Sequence, residues 1–129
     1  MKRVAAAIIR DKNKILIARR ANIENLVGFW EFPGGKVEEG ETLQECLERE
    51  LKEELGIVIK SGHELISSIY KYEHGSFKII ALDARIISGE VKLRVHDKVR
   101  WLLTEEIIEV GLLPADIEIA RYLQKVQKD

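Results

Sequence analysis

Residues 42–55, TLQECLERELKEEL, admit little besides a helix, and an unusual one. Thr42 followed three residues later by Glu45 makes a capping box, and Gly56 supplies a left-handed stop. At roughly 100° per residue, Leu43, Cys46, Leu47, Leu51 and Leu55 share one arc, which must face a core. Glu50 and Glu54 fall near the middle of that arc, and Glu53 falls at its edge beside Cys46. Glu45, Glu48 and Lys52 lie opposite, where an ordinary amphipathic helix would keep all its charges. Any fold open to this chain must set the acidic stripe against something other than hydrocarbon.

Unpaired carboxylates taken out of water are strongly penalised or forced to take up a proton. Glu50, Glu53 and Glu54 are spaced i, i+3, i+4, so their side chains converge within about one turn. A cation meets the requirement, and oxygen ligands of this kind suit Mg²⁺ or Mn²⁺. The competing reading, a solvated charged face, fits the wheel poorly. The segment ahead of the helix, Phe32-Pro33-Gly34-Gly35, reads as a tight turn whose glycines permit close backbone approach and leave a carbonyl free as a further ligand. Glu41, just before the cap, reaches the same region.

Composition narrows the setting. A chain of 129 residues suffices for a single domain with one core, and 46% hydrophobic with 33% charged residues describes a globular protein. The net charge of -1, with no Lys/Arg block longer than Arg19-Arg20, gives no field for a nucleic-acid polymer or a membrane surface. The apolar start, 4–9, is interrupted at once by Arg10-Asp11-Lys12-Asn13-Lys14 and reads as a buried strand rather than a leader. The one cysteine, Cys46, excludes an internal disulfide and a cysteine-based zinc cage, and a cytoplasmic setting is expected.

Runs 2–10 and 15–19 read as a β-hairpin about a polar turn, 21–28 as a loop, and 30–32 as a short strand with alternating faces. Further strands are expected at 58–72 (with a break near Ser61-Gly62), 77–87, 90–93 and 99–102. Thr104-Glu105-Glu106 should cap a short helix, and Pro114 should precede a last helix ending near 127. Strands, helix, strands, helix is the order of an α/β or α+β sandwich.

From Gly35 the sequence reads five residues, Glu41, seven residues, then Arg49-Glu50-Leu51-Lys52-Glu53-Glu54-Leu55-Gly56-Ile57. This resembles the Nudix box at every specified position, with Leu51 and Ile57 in its two aliphatic places. The resemblance implies a Nudix-type α/β/α sandwich: a mixed β-sheet, a catalytic loop-helix-loop and a C-terminal helix. It implies a Mg²⁺ (or Mn²⁺) site formed by the Gly34 carbonyl, Glu50, Glu53 and Glu54, with Arg49 orienting the carboxylates and Glu41 completing the constellation. Lys36 would contact phosphate. Glu50 and Glu53 are candidate general bases; some members take the base from a later loop, which here offers His96 or Asp97. His63 and His74 read as surface residues.

The likeness is closest to MutT-type enzymes, pyrophosphohydrolases of 8-oxo-dGTP and cytidine triphosphate. It rests on Ala18-Arg19-Arg20, on 28–36 (GFWEFPGGK) and on Leu113-Pro114-Ala115-Asp116. It implies a base pocket of Arg20, Phe32 and Asp116, with Phe32 stacking on the base. Asp116 stands where the 8-oxo-dGTP prototype has asparagine, and both substrate types stay open. The implied partner is a small nucleotide, handled by a monomer or homodimer. The alternatives are hydrolysis of ADP-ribose or dinucleoside polyphosphates, for which Tyr70 or Tyr72 offers only a superficial match, or a nucleotide-binding module without activity. The latter typically lacks some of the box carboxylates that are all present here.

Overall fold

The apolar run near the start becomes the central strand. In the computed structural model, which describes residues 1–20 and 28–127, β1 spans Lys2–Asp11. Ala5, Ala7 and Ile9 point to one face and Ala6 and Ile8 to the other, all of them buried. Burial on both faces is why the strand is continuously apolar instead of alternating. β1 runs parallel to β6 (Gly75–Ser88), with Val4 opposite Ile79 and Ile8 opposite Asp83. β6 in turn pairs antiparallel with β5 (Val58–Tyr72) in a long hairpin turning at 73–74. The ladder slips between Ser61 and Glu64, where the sequence predicts a break.

β2 (Lys14–Arg20) follows β1 through the expected turn, but the two strands pair only at Arg10–Ile15 and Asp11–Lys14. Beyond that they diverge. β2 takes β7 (His96–Leu102) on one edge and β3 (Trp30–Glu31) on the other, both antiparallel. The vacated edge of β1 is taken by β4 (Gly34–Lys36), and the Ala7 N–H donates to the Pro33 carbonyl at 2.7 Å. The segment from Trp30 to Lys36 therefore fills the fork between β1 and β2.

Helix α1 (Leu43–Leu55) covers one face, setting Cys46, Leu47, Leu51 and Leu55 on Ala5, Ala7, Ile9 and Leu82. The other face is covered by α2 (Thr104–Ile107) and α3 (Ile117–Gln127), with Ile119, Ala120 and Leu123 packing into the cluster that holds Ile8, Ile17, Phe32 and Ala81. A 3₁₀ turn, Pro114–Asp116, leads into α3. The result is the expected mixed sheet between helical layers, with a C-terminal helix. No helix among the described residues is long and apolar enough to cross a membrane.

Both ends of α1 are closed as the sequence indicates. Thr42 Oγ1 accepts from the Glu45 N–H at 3.0 Å and Glu45 Oε1 accepts from the Thr42 N–H at 2.9 Å. Gly56 sits at φ 69° and returns its N–H to the Lys52 carbonyl.

Two expectations need correction. Residues 90–93 form no strand: they cross the C-terminal end of α1, where the Lys92 N–H donates to the Leu55 carbonyl at 2.7 Å and Arg94 Nη1 to the Lys52 and Glu53 carbonyls at 3.2 and 3.0 Å. The helix end leaves carbonyls unpaired, and this strap satisfies them in place of a sheet ladder. Thr104 is buried inside α2 and does not cap it; the Leu103 N–H is met by Glu106 Oε1 at 2.8 Å. Of the loop expected at 21–28, residues 21–27 lie outside the described residues. Replacing Thr42 with Ala removes one half of the capping box and should lower unfolding free energy in urea by about 1 kcal/mol, with the native secondary structure kept.

Candidate active site

The acids around α1 are organised by one cation. Arg49 meets Glu41 in a bidentate pair, Nε to Oε2 at 2.6 Å and Nη2 to Oε1 at 3.0 Å. Its Nη1 reaches Glu50 Oε1 at 3.0 Å and Glu53 Oε2 at 3.4 Å, and Glu38 lies 3.7 Å from Nη2. Nη2 also donates to the Lys36 carbonyl at 3.3 Å, tying the helix to the end of β4. The hydrogen bonds from Arg49 and from the Glu38 N–H hold the Glu41 carboxyl down at about 2.

The two glycines that open β4 allow two close approaches, Gly35 to Glu50 and Gly34 to the backbone of β1. A Cβ on Gly35 would lie 2.4 to 2.7 Å from the Glu50 carboxylate atoms, and one on Gly34 would lie 2.0 Å from the Ala5 carbonyl oxygen. Glu50 thus occupies the space that any other residue at 35 would fill. Glu54 is pushed up to about 8, first by burial, then by the charge of Glu50 and a hydrogen bond with it, then by Glu31. In this arrangement Glu54 is relieved by a proton, and a divalent cation would relieve it equally well. The donor set (carboxylate and carbonyl oxygen around a glycine cradle) therefore fits a hard ion such as Mg²⁺ or Mn²⁺.

The glutamates do not converge as the wheel suggests. Glu50 is nearly enclosed and contacts Glu54, whereas the Glu53 side chain is 61% exposed and leans on Arg49. Among the described residues no three acidic, histidine or cysteine side chains form a set able to hold a metal. Attraction to the guanidinium accounts for this, since it draws Glu41, Glu50 and Glu53 toward itself.

Beside the glycines, in the fork between β1 and β2, lies a cavity of about 160 Å³. Val4, Ala5, Phe77 and Ile79 line it on the β1–β6 side; Arg20, Glu31, Phe32 and Asp116 line it from β2, β3 and the turn before α3. The Phe32 N–H donates to Asp116 Oδ2 at 3.3 Å. Asp116 is almost wholly buried, and burial, followed by the charge of Glu31, pushes its carboxyl up to about 8 against the pull of the Phe32 N–H and Arg20. Glu31 is held on both oxygens: Arg20 Nη2 donates to Oε1 at 2.9 Å, and His96 Nε2 lies 2.7 Å from Oε2. Trp30 and Phe32 enter the α3-side core, so alternation turns Glu31 to the opposite face of β3, as the sequence suggests; both faces prove buried.

The structure gathers Glu41, Arg49, Glu50 and Glu54 in one cluster beside Gly35, and Gly34 and Gly35 border the cavity whose wall holds Arg20, Phe32 and Asp116. Lys36 is exposed and meets the site through its carbonyl. Asp97 is not brought in. It lies on the outer side of β7 in a bidentate pair with Arg19 at 2.8 and 3.0 Å, which holds its carboxyl below the usual range. His96, its neighbour, points inward, yet its Nε2 is engaged by Glu31. His63 and His74 are exposed, as expected. Glu31 and Phe77 had not been singled out. For Glu31 a signal existed, a lone carboxylate between Trp30 and Phe32; Phe77 carries none, because its place depends on the β6–β1 register.

The sequence model of the NUDIX domain matches residues 1–126, and the chain belongs to the Nudix family. It is 40% identical over 119 residues to a CTP pyrophosphohydrolase of Escherichia coli (strain K12), covering 90% of this chain and 86% of that protein. It is 46% identical over 126 residues to an 8-oxo-dGTP diphosphatase of Buchnera aphidicola subsp. Schizaphis graminum, covering 95% and 93%. The crystal structure of a MutT protein from Methanosarcina mazei Go1 superposes with a TM-score of 0.86 at 27% identity, covering 99% of this chain and 96% of that one.

The buried Asp116 has a consequence for stability. Its folded carboxyl binds a proton more tightly than the unfolded chain does, so its contribution is fullest below about pH 4 and is lost as pH rises toward 8. Asp116→Asn keeps an acceptor for Phe32 without the charge. Thermal unfolding should show the variant gaining on the parent at pH 8.5 and matching it near pH 4; equal differences at both would contradict the assignment.

Proposed function

We propose that this chain is a divalent-metal-dependent nucleoside triphosphate pyrophosphohydrolase, converting a triphosphate and water to a monophosphate and pyrophosphate. The observation that carries the reading is the Arg49-ordered group of carboxylates packed against Gly34-Gly35 at the edge of the fork cavity. Small nucleotides are the substrates of this family. Within it, the names of the two relatives favour a cytidine or 8-oxoguanine nucleotide. The proposed setting is the cytoplasm, with the chain acting as a monomer or homodimer.

The Gly34 carbonyl, Glu50, Glu53 and Glu54 would hold Mg²⁺ (or Mn²⁺). When bound, such an ion supplies charge neutralisation for the phosphates and acidifies water. The remaining work falls to the chain. Arg49 orients Glu50 and Glu53 through contacts of 3.0 and 3.4 Å, and Glu41 fixes the guanidinium by occupying its other edge. Glu53, more accessible than Glu41 and Glu50, would accept the proton of the attacking water. Water oxygen adds to phosphorus, the bridging P–O bond breaks, and the electron pair leaves with pyrophosphate. Lys36, exposed at the end of β4, would meet the phosphate tail. Arg20, Phe32 and Asp116 would meet the base. A neutral Asp116 both donates and accepts, which serves either candidate base. A binding module without activity is disfavoured because every box carboxylate is present.

The test is a panel of canonical, methylated and oxidised nucleoside triphosphates with Mg²⁺, with products separated as monophosphate and pyrophosphate. Cytidine or 8-oxoguanine members should lead. Glu53→Gln should lower turnover by about 10²- to 10⁴-fold with an unchanged melting temperature. Full turnover in that variant would reject the assignment of the acids, and orthophosphate as first product would reject the reaction.

A further inference from the structure

Phe32 is the aromatic that the sequence puts forward for stacking, and the structure leaves its ring no free face. It is 3% exposed and is packed in the core cluster of Ile8, Ile17 and Leu123. It borders the cavity, and its N–H engages Asp116 there. A ring that stacks with a base must offer an open face, so the platform has to come from elsewhere.

Phe77 lines the same cavity from the β1–β6 side and is only partly buried. It stands directly opposite Tyr70 in the β5–β6 ladder, with ring centroids 5.6 Å apart and planes at 51°. Tyr72, two residues on along β5, also contacts it, at 5.7 Å and 50°. Cross-strand aromatic contacts of this kind fix a ring's position at little entropic cost on binding. The cavity therefore has an apolar wall of Val4, Phe77 and Ile79 facing hydrogen-bonding groups on Arg20 and Asp116. One flat apolar side and one polar edge is the shape of a purine or pyrimidine base.

We propose that Phe77, braced by Tyr70 and Tyr72, is the stacking platform for the substrate's base and a determinant of its selection. This rests on the nucleotide reading above and replaces Phe32 in that role, leaving Phe32 as a buried support for Asp116. The β5–β6 hairpin then contributes to recognition as well as to the sheet, and bases with larger polarisable faces gain more from it.

Phe77→Leu and Phe77→Tyr separate stacking from simple filling of space. With the best triphosphate of the panel, the leucine variant should raise KM roughly tenfold and change kcat less than twofold. The tyrosine variant should stay within twofold of the parent in both. An unchanged KM in the leucine variant overturns the proposal. So does a tyrosine variant as impaired as leucine while melting like the parent. Phe77→Trp supplies a readout that needs no turnover: nucleoside monophosphate should quench its emission beyond the change seen in the parent, which carries Trp30 and Trp101, and ribose 5-phosphate should not. Quenching by the monophosphate in a protein that hydrolyses no triphosphate would uphold the platform and sink the reaction. Turnover without quenching would do the reverse.

Discussion

A single guanidinium sets the order of the acidic region. Arg49 faces four carboxylates, Glu38, Glu41, Glu50 and Glu53, and a backbone carbonyl at Lys36, and it sits on a helix whose apolar side is locked to the central strand. Without that cation the acids would repel one another across one turn of helix and drift toward water. With it, negative charge stays concentrated and oriented, yet in excess of the one positive charge available. That excess is the physical basis for expecting a metal ion here.

The fork between β1 and β2 does for the cavity what Arg49 does for the acids. A hairpin that stayed zipped would have no interior there. Because β1 and β2 share only two residue pairs, the chain from Trp30 to Lys36 enters between them and brings its carboxylate, its aromatics and its glycines to one place. α1 and the core around Phe32 and Asp116 lie on opposite faces of the sheet. They communicate over its edge at Gly34 and Gly35, where a side chain would collide with Ala5 or Glu50. The charge of Glu31 bears on both Asp116 and Glu54, so the base-side and phosphate-side groups share one electrostatic environment.

What could be read in the sequence follows a physical division. α1, its capping box and its left-handed stop were legible because each depends on residues a few positions apart. So was the paradox of Glu50 and Glu54 among leucines, since helical periodicity alone exposes it. The wheel could not show how Glu53 at its edge would settle, because a distant partner decides whether it turns in or out. β4 was hidden because Gly34–Lys36 has no strand signature of its own; the vacant edge of β1 makes it a strand. His96, expected in a loop, opens β7 instead, and its inward place is fixed by Glu31 on the far side of β2. Residues 90–93 looked β-prone and were claimed by a helix end instead.

That crossing segment reaches beyond local packing. Arg94 binds the carbonyls of Lys52 and Glu53, so the backbone carrying the exposed Glu53 is fastened from outside its own helix. Gly89 lets the strap lie close, since a Cβ there would come within 2.9 Å of the Gly56 carbonyl. The run between β6 and β7 is therefore a tether of fixed reach. Lengthening it, or clipping it with a protease, would slacken the last turn of α1 and free Glu53 to wander, although no residue of the helix had changed.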